Sequence, residues 1–303
     1  MYNQKAIDIL IYSGEGASNL CLEQTLSTFR TILGKNYSIM KVDANQLANE
    51  PWEKTTALLA VPGGRDAFFN RDLRGAGAYK IQNYVRSGGK YIGFCAGGYF
   101  GCSGIVFEPN SPIQVVGDRP LGFFPGICKG TAYAGFRYDS EDGSKALKIT
   151  IESDAFKKQK STEWVVESKL SSPYVYYNGG GYFPDADAYA ESGDSEACED
   201  KYKSKSYVNV LSRYPEGVTD PEDRTVSVEG APAVIACHYG KGVAILTGVH
   251  IEFSSKAFDG THGRTLKSEV LEKLEAGSYD RVDYARRKGY REDGGNAYVY
   301  CPD

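Results

Sequence analysis

Cys95 stands in the string Gly93-Phe94-Cys95-Ala96-Gly97-Gly98, where an apolar run meets a turn of small residues. An elbow from strand to helix holds a nucleophile clear of the backbone while neighbouring segments pass close by, which requires small residues on both sides. A helix opening at this point adds unpaired N–H groups and partial positive charge, which stabilise a sulfur anion able to attack a carbonyl carbon. The competing reading is a buried cysteine that only packs. The elbow string favours the nucleophile.

A thiol nucleophile needs a base and a group to orient that base, and only His238, His250 and His262 are available. In Gly248-Val249-His250-Ile251-Glu252, extended backbone puts His250 and Glu252 on one side. The carboxylate can then take one ring N–H and leave the other nitrogen for the thiol. A strand-end histidine beside a surface carboxylate is the plainer alternative. His238, beside Tyr239, reads as a packing or surface residue, and His262 as a loop or helix-start residue. A third piece, Val61-Pro62-Gly63-Gly64-Arg65-Asp66, follows an apolar strand. Alone it is an ordinary tight turn. At the end of a strand neighbouring Cys95, the N–H groups of Gly63 and Gly64 could join that of Ala96 as an oxyanion hole.

These pieces need a framework. Ala6 to Ser13 reads as a buried strand ending at Gly14-Glu15-Gly16, and Leu22, Leu26, Phe29 and Leu33 recur at helical spacing from Ser18. Ser38 to Val42 and Ala57 to Val61 read as strands. Ala78, Ile81, Tyr84 and Val85 mark a helix stopped by Ser87-Gly88-Gly89, and Lys90 to Phe94 is the next strand. The order β-α-β-β-α-β predicts a mostly parallel sheet flanked by helices, with sites at the carboxyl ends of its strands. From about Ile105 to Tyr214 short β-like runs, among them Ala146 to Ile151 and Val208 to Leu211, read as β-rich additions to the same domain. Within them, Ala188 to Lys205 is too polar to bury much apolar area and reads as a surface loop. Ala233 to Cys237 and Val243 to Gly248 flank Tyr239-Gly240-Lys241-Gly242 as a hairpin that delivers the chain to His250. Leu266, Val270 and Leu274 mark a last helix. The domain is expected over 1–277, with a polar tail over 278–303.

A length of 303 residues with 41% hydrophobic content supports a substantial core. A net charge of -4 offers no field for a phosphate backbone, so nucleic acid is excluded as a partner. No run approaches the ~18 apolar residues of a membrane span, and Asp8 interrupts the first apolar stretch. A soluble, cytoplasmic protein is expected, with no membrane partner. Seven cysteines, odd in number and without a CxxC pair, read as free thiols, and neither a metal nor a cofactor is implied.

The Gly-rich loop, cysteine elbow and His-x-Glu, in this order, resemble the class I glutamine amidotransferase superfamily. That resemblance implies a flavodoxin-like fold and a Cys95-His250-Glu252 triad with oxyanion donors at Gly64 and Ala96. The strings EPWEKTTALLAVPGGRD, GFCAGGYFG, YYNGGGYFPDAD and YGKGVAILTGVHIEFS are similar to the N-terminal domain of fungal biotin-protein ligases and its free-standing relatives. The likeness runs from about Ile7 to Leu274. Tyr177-Asn178-Gly179-Gly180-Gly181 also matches a family motif, which places Tyr99, Asn178 and Gly179 as candidate substrate-binding residues; a Gly-rich turn between strands reads equally well. Glutaminases of the superfamily carry a glutamine after the elbow and a proline between His and Glu, where this chain has Gly98-Tyr99 and Ile251. No Gly-Arg-rich biotinyl-adenylate loop follows Glu252, so biotinylation by this chain alone is not expected, and no synthetase domain accompanies the site.

The first functional reading is a cysteine-dependent amidase or hydrolase acting on a small amide or acyl substrate. The second is a silent binding or regulatory module with the same pocket and a possible protein partner, related to biotin-protein ligase regulation. A third is redox or glyoxalase-like chemistry at the cysteine.

Overall fold

In the computed structural model, residues 8–152, 173–190, 207–254 and 268–277 are described. Strand β1 (Asp8–Tyr12) leads through helix α1 (Asn19–Leu33) to β2 (Ser38–Val42), helix α2 (Ala44–Asn49) and β3 (Thr56–Val61). Helices α3 (Asp66–Leu73) and α4 (Ala76–Arg86) precede β4 (Lys90–Phe94), and the five-residue α5 (Ala96–Phe100) follows it. The sequence pattern misses α2 and α3. The first was legible: Asp43 accepts from the Gln46 amide at 2.8 Å while Gln46 returns its side chain to the Asp43 amide, a capping box spelled Asp-x-x-Gln.

Seven further strands then form the β-rich additions: β5 (Cys102–Phe107), β6 (Val115–Asp118), β7 (Phe124–Gly130), β8 (Lys145–Lys148), β9 (Thr150–Ile151), β10 (Tyr174–Tyr177) and β11 (Gly181–Tyr182). A 3-10 turn over Ala186–Tyr189 begins the expected surface loop, whose residues 191–206 lie outside the described set. The long β12 (Tyr207–Arg213), the small pair β13 (Val218–Thr219) and β14 (Ser227–Val228), and the hairpin β15 (Pro232–Tyr239) and β16 (Gly242–Thr247) follow. Helix α6 (Ser268–Gly277) is the last described element, so the expected tail from 278 and His262 lie beyond the description, as does Leu266.

The main sheet runs β2-β1-β3-β4-β16-β15-β12-β9. Its first five strands are parallel, and β15, β12 and β9 add antiparallel pairings. The expected α/β class, a mainly parallel sheet flanked by helices with β-rich additions, is what the chain adopts. The central strands are covered on both faces: Ile9, Ile11, Ala60 and Phe94 pack beneath α1, while Leu59, Val61 and Tyr91 face α4 and α5. Each such large apolar side chain contributes about 2 kcal/mol by leaving water. His238 belongs to this framework: it lies on β15 with its ring stacked on Tyr207 at 4.1 Å, the packing role expected of it.

Candidate active site

The carboxyl ends of three adjacent parallel strands converge. In the sheet β4 lies between β3 and β16, with Val61 opposite Gly93 and Thr247 opposite Phe94. The Gly63-Gly64 loop, Cys95 and the segment leading to His250 therefore leave the sheet side by side. The Cys95 amide donates to Thr247 O at 2.8 Å, which fixes the elbow to the strand that carries the histidine.

Cys95 has φ 48 and ψ -104, a region that a residue with a side chain rarely occupies and that costs of order 1–3 kcal/mol. The strain aims its thiol away from the sheet. Gly97 makes the bend possible, since a Cβ there would stand 2.1 Å from Val61 O. A helix does open after Cys95 as expected, but α5 spans barely more than one turn, so its dipole is small. What remains is local: the Ala96 amide is the first of the helix and has no carbonyl one turn back to bond within it.

His250 does not sit in a strand as expected; it forms an isolated bridge to Tyr176 and the chain then turns. Its amide donates to Tyr176 O at 2.8 Å, and its ring packs beside the stacked pair of Tyr176, 5.5 Å away, and Phe253, 4.8 Å away. The turn still brings Glu252 round, and His250 Nδ1 lies 2.7 Å from Glu252 Oε1. The Cys95 side chain is a further neighbour that bears on the imidazole. Burial alone would disfavour the imidazolium, yet the Glu252 carboxylate, with lesser support from Cys21 and Cys95, outweighs it and holds the His250 pKa well above its usual value. A second thiol, Cys21 of α1, faces the same histidine; burial pushes it up to about 11, so it is neutral and Glu252 is the anion that matters.

A narrow cleft of about 20 Å³, room for about one water, opens beside Cys95. Gly64, Ala96, Tyr99 and Gly179 line it together with Asp66, Phe107, Phe136 and Tyr138. Gly63 does not line it: a Cβ at that position would meet Cys21 Sγ and His250 Cε1 at 2.8 Å, so this glycine admits the histidine ring. Asn178 lies behind the wall. Its carbonyl accepts from Cys95 Sγ at 3.8 Å, and its side-chain amide donates to Ser140 O and to Tyr176 Oη. The Gly-rich motif after it serves close approach, since a Cβ on Gly180 would overlap Gly248 O at 1.6 Å, two residues before His250.

Residues 7–288 match the family described as "Biotin-protein ligase, N terminal". The chain belongs to that family. The biotin–protein ligase of Schizosaccharomyces pombe is 38% identical over 254 residues, 82% of this chain and 34% of the ligase. The chain thus spans about a third of that relative's length. An uncharacterised protein of Chlamydia muridarum is 34% identical over 250 residues, 81% of this chain and 80% of that one. Among solved structures, PurLQS of Thermotoga maritima aligns with 89% of this chain and 98% of its own at 13% identity and a TM-score of 0.45. A ThuA-like protein of Bacteroides uniformis aligns with 82% and 84% at 12% identity and a TM-score of 0.40. Scores of that size leave the fold assignment to the topology above.

In this biotin-protein ligase N-terminal domain, sequence reasoning missed Asp66, Phe107, Phe136, Tyr138 and Cys21. Asp66 was visible as the end of the loop string, but nothing in the string shows that it meets Arg119. That pair is almost fully buried, with Arg119 Nε 2.5 Å from Asp66 Oδ2. Burial pushes the Asp66 carboxyl up, against the opposing pull of the guanidinium. The aromatic residues had only the dense Tyr133-Ala134-Gly135-Phe136-Arg137-Tyr138 run as a signal.

Proposed function

We propose that the chain is a cysteine-dependent amidase or hydrolase acting on a small amide or acyl substrate. The observation that carries the reading is the convergence of the strained Cys95 and the buried His250–Glu252 pair at the carboxyl ends of the neighbouring strands β4 and β16. In this reaction Cys95 Sγ attacks the substrate carbonyl carbon, and its proton resides on His250. The carbonyl oxygen gathers negative charge against the amides of Gly64 and Ala96. His250 then gives that proton to the leaving amine, and the C–N bond breaks to leave a thioester. Water enters, His250 takes its proton, and the thioester is hydrolysed to acid and free thiol. Glu252 holds the imidazole on Nδ1 throughout.

Tyr99 and Gly179 shape the substrate side, and Asn178 positions the wall behind the sulfur. The match to a third of a biotin–protein ligase favours a second reading, in which the domain regulates a ligase through the same pocket without turnover. Such a role would supply the protein partner. Free cysteines at 21, 95, 102, 128 and 237 suit a reducing compartment such as the cytoplasm. The elements from Asp8 to Gly277 support one domain over 1–277 with a tail after it.

Hydrolysis of a panel of primary amides and thioesters, with release of ammonia or thiol as the readout, separates the two readings. Turnover by the wild type that Cys95→Ser abolishes supports the hydrolase. Saturable ligand binding without turnover, surviving Cys95→Ala, supports the regulatory module.

A further inference from the structure

Residues 135–143, between β7 and β8, form a strap beside Cys95. The chain makes no helix or strand over these residues, and the two ends of the strap are glycines in the left-handed region, Gly135 at φ 100 and Gly143 at φ 78. A Cβ on Gly143 would stand 2.8 Å from both Gly135 C and Phe136 N, so the neck of the strap is closed by backbone on backbone. A loop whose ends touch can turn about its neck while the strands on either side stay in place.

Two side chains of the strap, Phe136 and Tyr138, line the cleft with Cys95. Phe136 leans on the buried Phe107 at 5.8 Å and 79° and covers Gly179, where a Cβ would stand 2.5 Å from its ring. Tyr138 is held by Arg65, whose guanidinium lies over the ring at 4.4 Å and bonds the neighbouring Asp139 at 2.7 Å. Arg65 directly follows Gly63-Gly64, and its amide is fixed to Gly16 O at 2.8 Å, so the strap is tied to an anchored loop. Further along the strap, Ser140 O accepts from the Asn178 side-chain amide at 3.0 Å, and the Glu141 carboxylate accepts from the Tyr176 hydroxyl. Those two partners back the site itself, since the Asn178 carbonyl accepts from Cys95 Sγ and the Tyr176 carbonyl from the His250 amide.

With the strap in this position the space beside Cys95 is about 20 Å³, enough for about one water, and the thiol is buried. A carboxamide group alone has more heavy atoms than that. The ties of the strap differ in kind. Asn178 and Tyr176 are buried, whereas Arg65 and Asp139 have side-chain exposures of 44% and 78%. Exposed ion pairs are weak and are screened by salt, so the Arg65 end is the one that yields first. Resting only on Cys95 as the reacting or binding centre, we infer that residues 135–143 are a gate, latched by Arg65 on Tyr138 and Asp139, that must swing aside before a molecule larger than water reaches the thiol. A substrate to be cleaved and a ligand to be sensed pass the same gate.

The test compares N-methylmaleimide with N-(1-pyrenyl)maleimide on the native full chain, with mass mapping of the modified cysteines. The reagents share one reactive group and differ in bulk. At Cys95 the pyrenyl reagent is expected to react at least about ten-fold more slowly than the methyl one, because it needs the wider opening. Arg65→Met should raise the pyrenyl rate about ten-fold through loss of both the ring contact and the ion pair, and the methyl rate by less. Asp139→Asn, which removes the ion pair alone, should raise it about three-fold and is the variant read if Arg65→Met does not fold. Equal rates of the two reagents in the wild type, no labelling of Cys95 in any variant, or a pyrenyl rate indifferent to both substitutions overturns the gate. Acceleration shared by the buried Cys102, Cys128 and Cys237 is general loosening and also counts against it. Labelling that follows the latch while no amide or thioester is ever turned over removes the hydrolase reading and leaves the gate standing. Turnover with labelling indifferent to Arg65 and Asp139 does the reverse.

Discussion

His250 Nδ1 lies 2.7 Å from Glu252 Oε1, with the histidine and the carboxylate both almost fully buried. The histidine is therefore locked in orientation, and every consequence of the site passes through it.

Alkylation reports on this histidine first. Iodoacetamide should modify Cys95 in the native protein, and His250→Ala should slow the modification at least about ten-fold through loss of the adjacent base. For the amide reaction itself the loss should be about 10²-fold or more. Mass mapping of the labelled cysteine checks the first claim. Equal rates in wild type and variant would mean that the histidine does not serve the thiol.

The raised pKa of His250 makes a stability prediction with a definite sign. A histidine held protonated by the fold contributes stability that is complete below the ordinary imidazole value of about 6.5 and is lost as the pH rises through the higher folded value. The advantage of wild type over Glu252→Gln in urea unfolding should thus be largest near pH 5–6 and decline on the alkaline side. A gap that widens with pH would contradict the assignment of Glu252 as the charge that holds the proton.

The elbow strain predicts an inverted glycine effect. At most positions Gly is less stable than Ala by about 0.5–1 kcal/mol. At Cys95, with φ 48 and ψ -104, Cys95→Gly should exceed Cys95→Ala in stability by about 1 kcal/mol, because Gly alone has no Cβ to strain. Denaturant melts of the two variants decide it, and the usual order would show that the backbone there is relaxed.

Much of this was written in the chain, and the reason is local. The elbow string and the Gly63-Gly64 loop each encode a backbone shape within a few residues, and the strands β1, β3 and β4 announce themselves as apolar runs. Helix α2 was equally legible in its Asp43 to Gln46 capping box. Phe107, Phe136 and Tyr138 were not, because an aromatic residue in a β-rich segment looks the same whether it fills the core or walls a cleft. Cys21 and Arg119 come to the site from remote segments whose pairing only tertiary packing decides. The turn at His250 replaced the expected strand for a similar reason: its geometry is set by the bridge to Tyr176, far away in sequence.

The buried Asp66–Arg119 pair predicts strong coupling. Arg119→Met alone leaves a carboxylate without its cation and should cost about 3–5 kcal/mol, whereas Asp66→Asn with Arg119→Met should recover much of that loss. A double-mutant cycle measures the difference. Simple additivity would mean that the two side chains do not rely on each other.

Because Cys95 and His250 leave neighbouring strands but are separated by roughly half the chain, their meeting awaits insertion of β16 beside β4. Contacts so distant in sequence close late. In the proposed chemistry the thiol emerges during synthesis well before its base, so a truncated chain ending short of residue 250 would lack the proton carrier, and the order of residues along the chain would act as a safety catch that releases only when the domain is nearly whole.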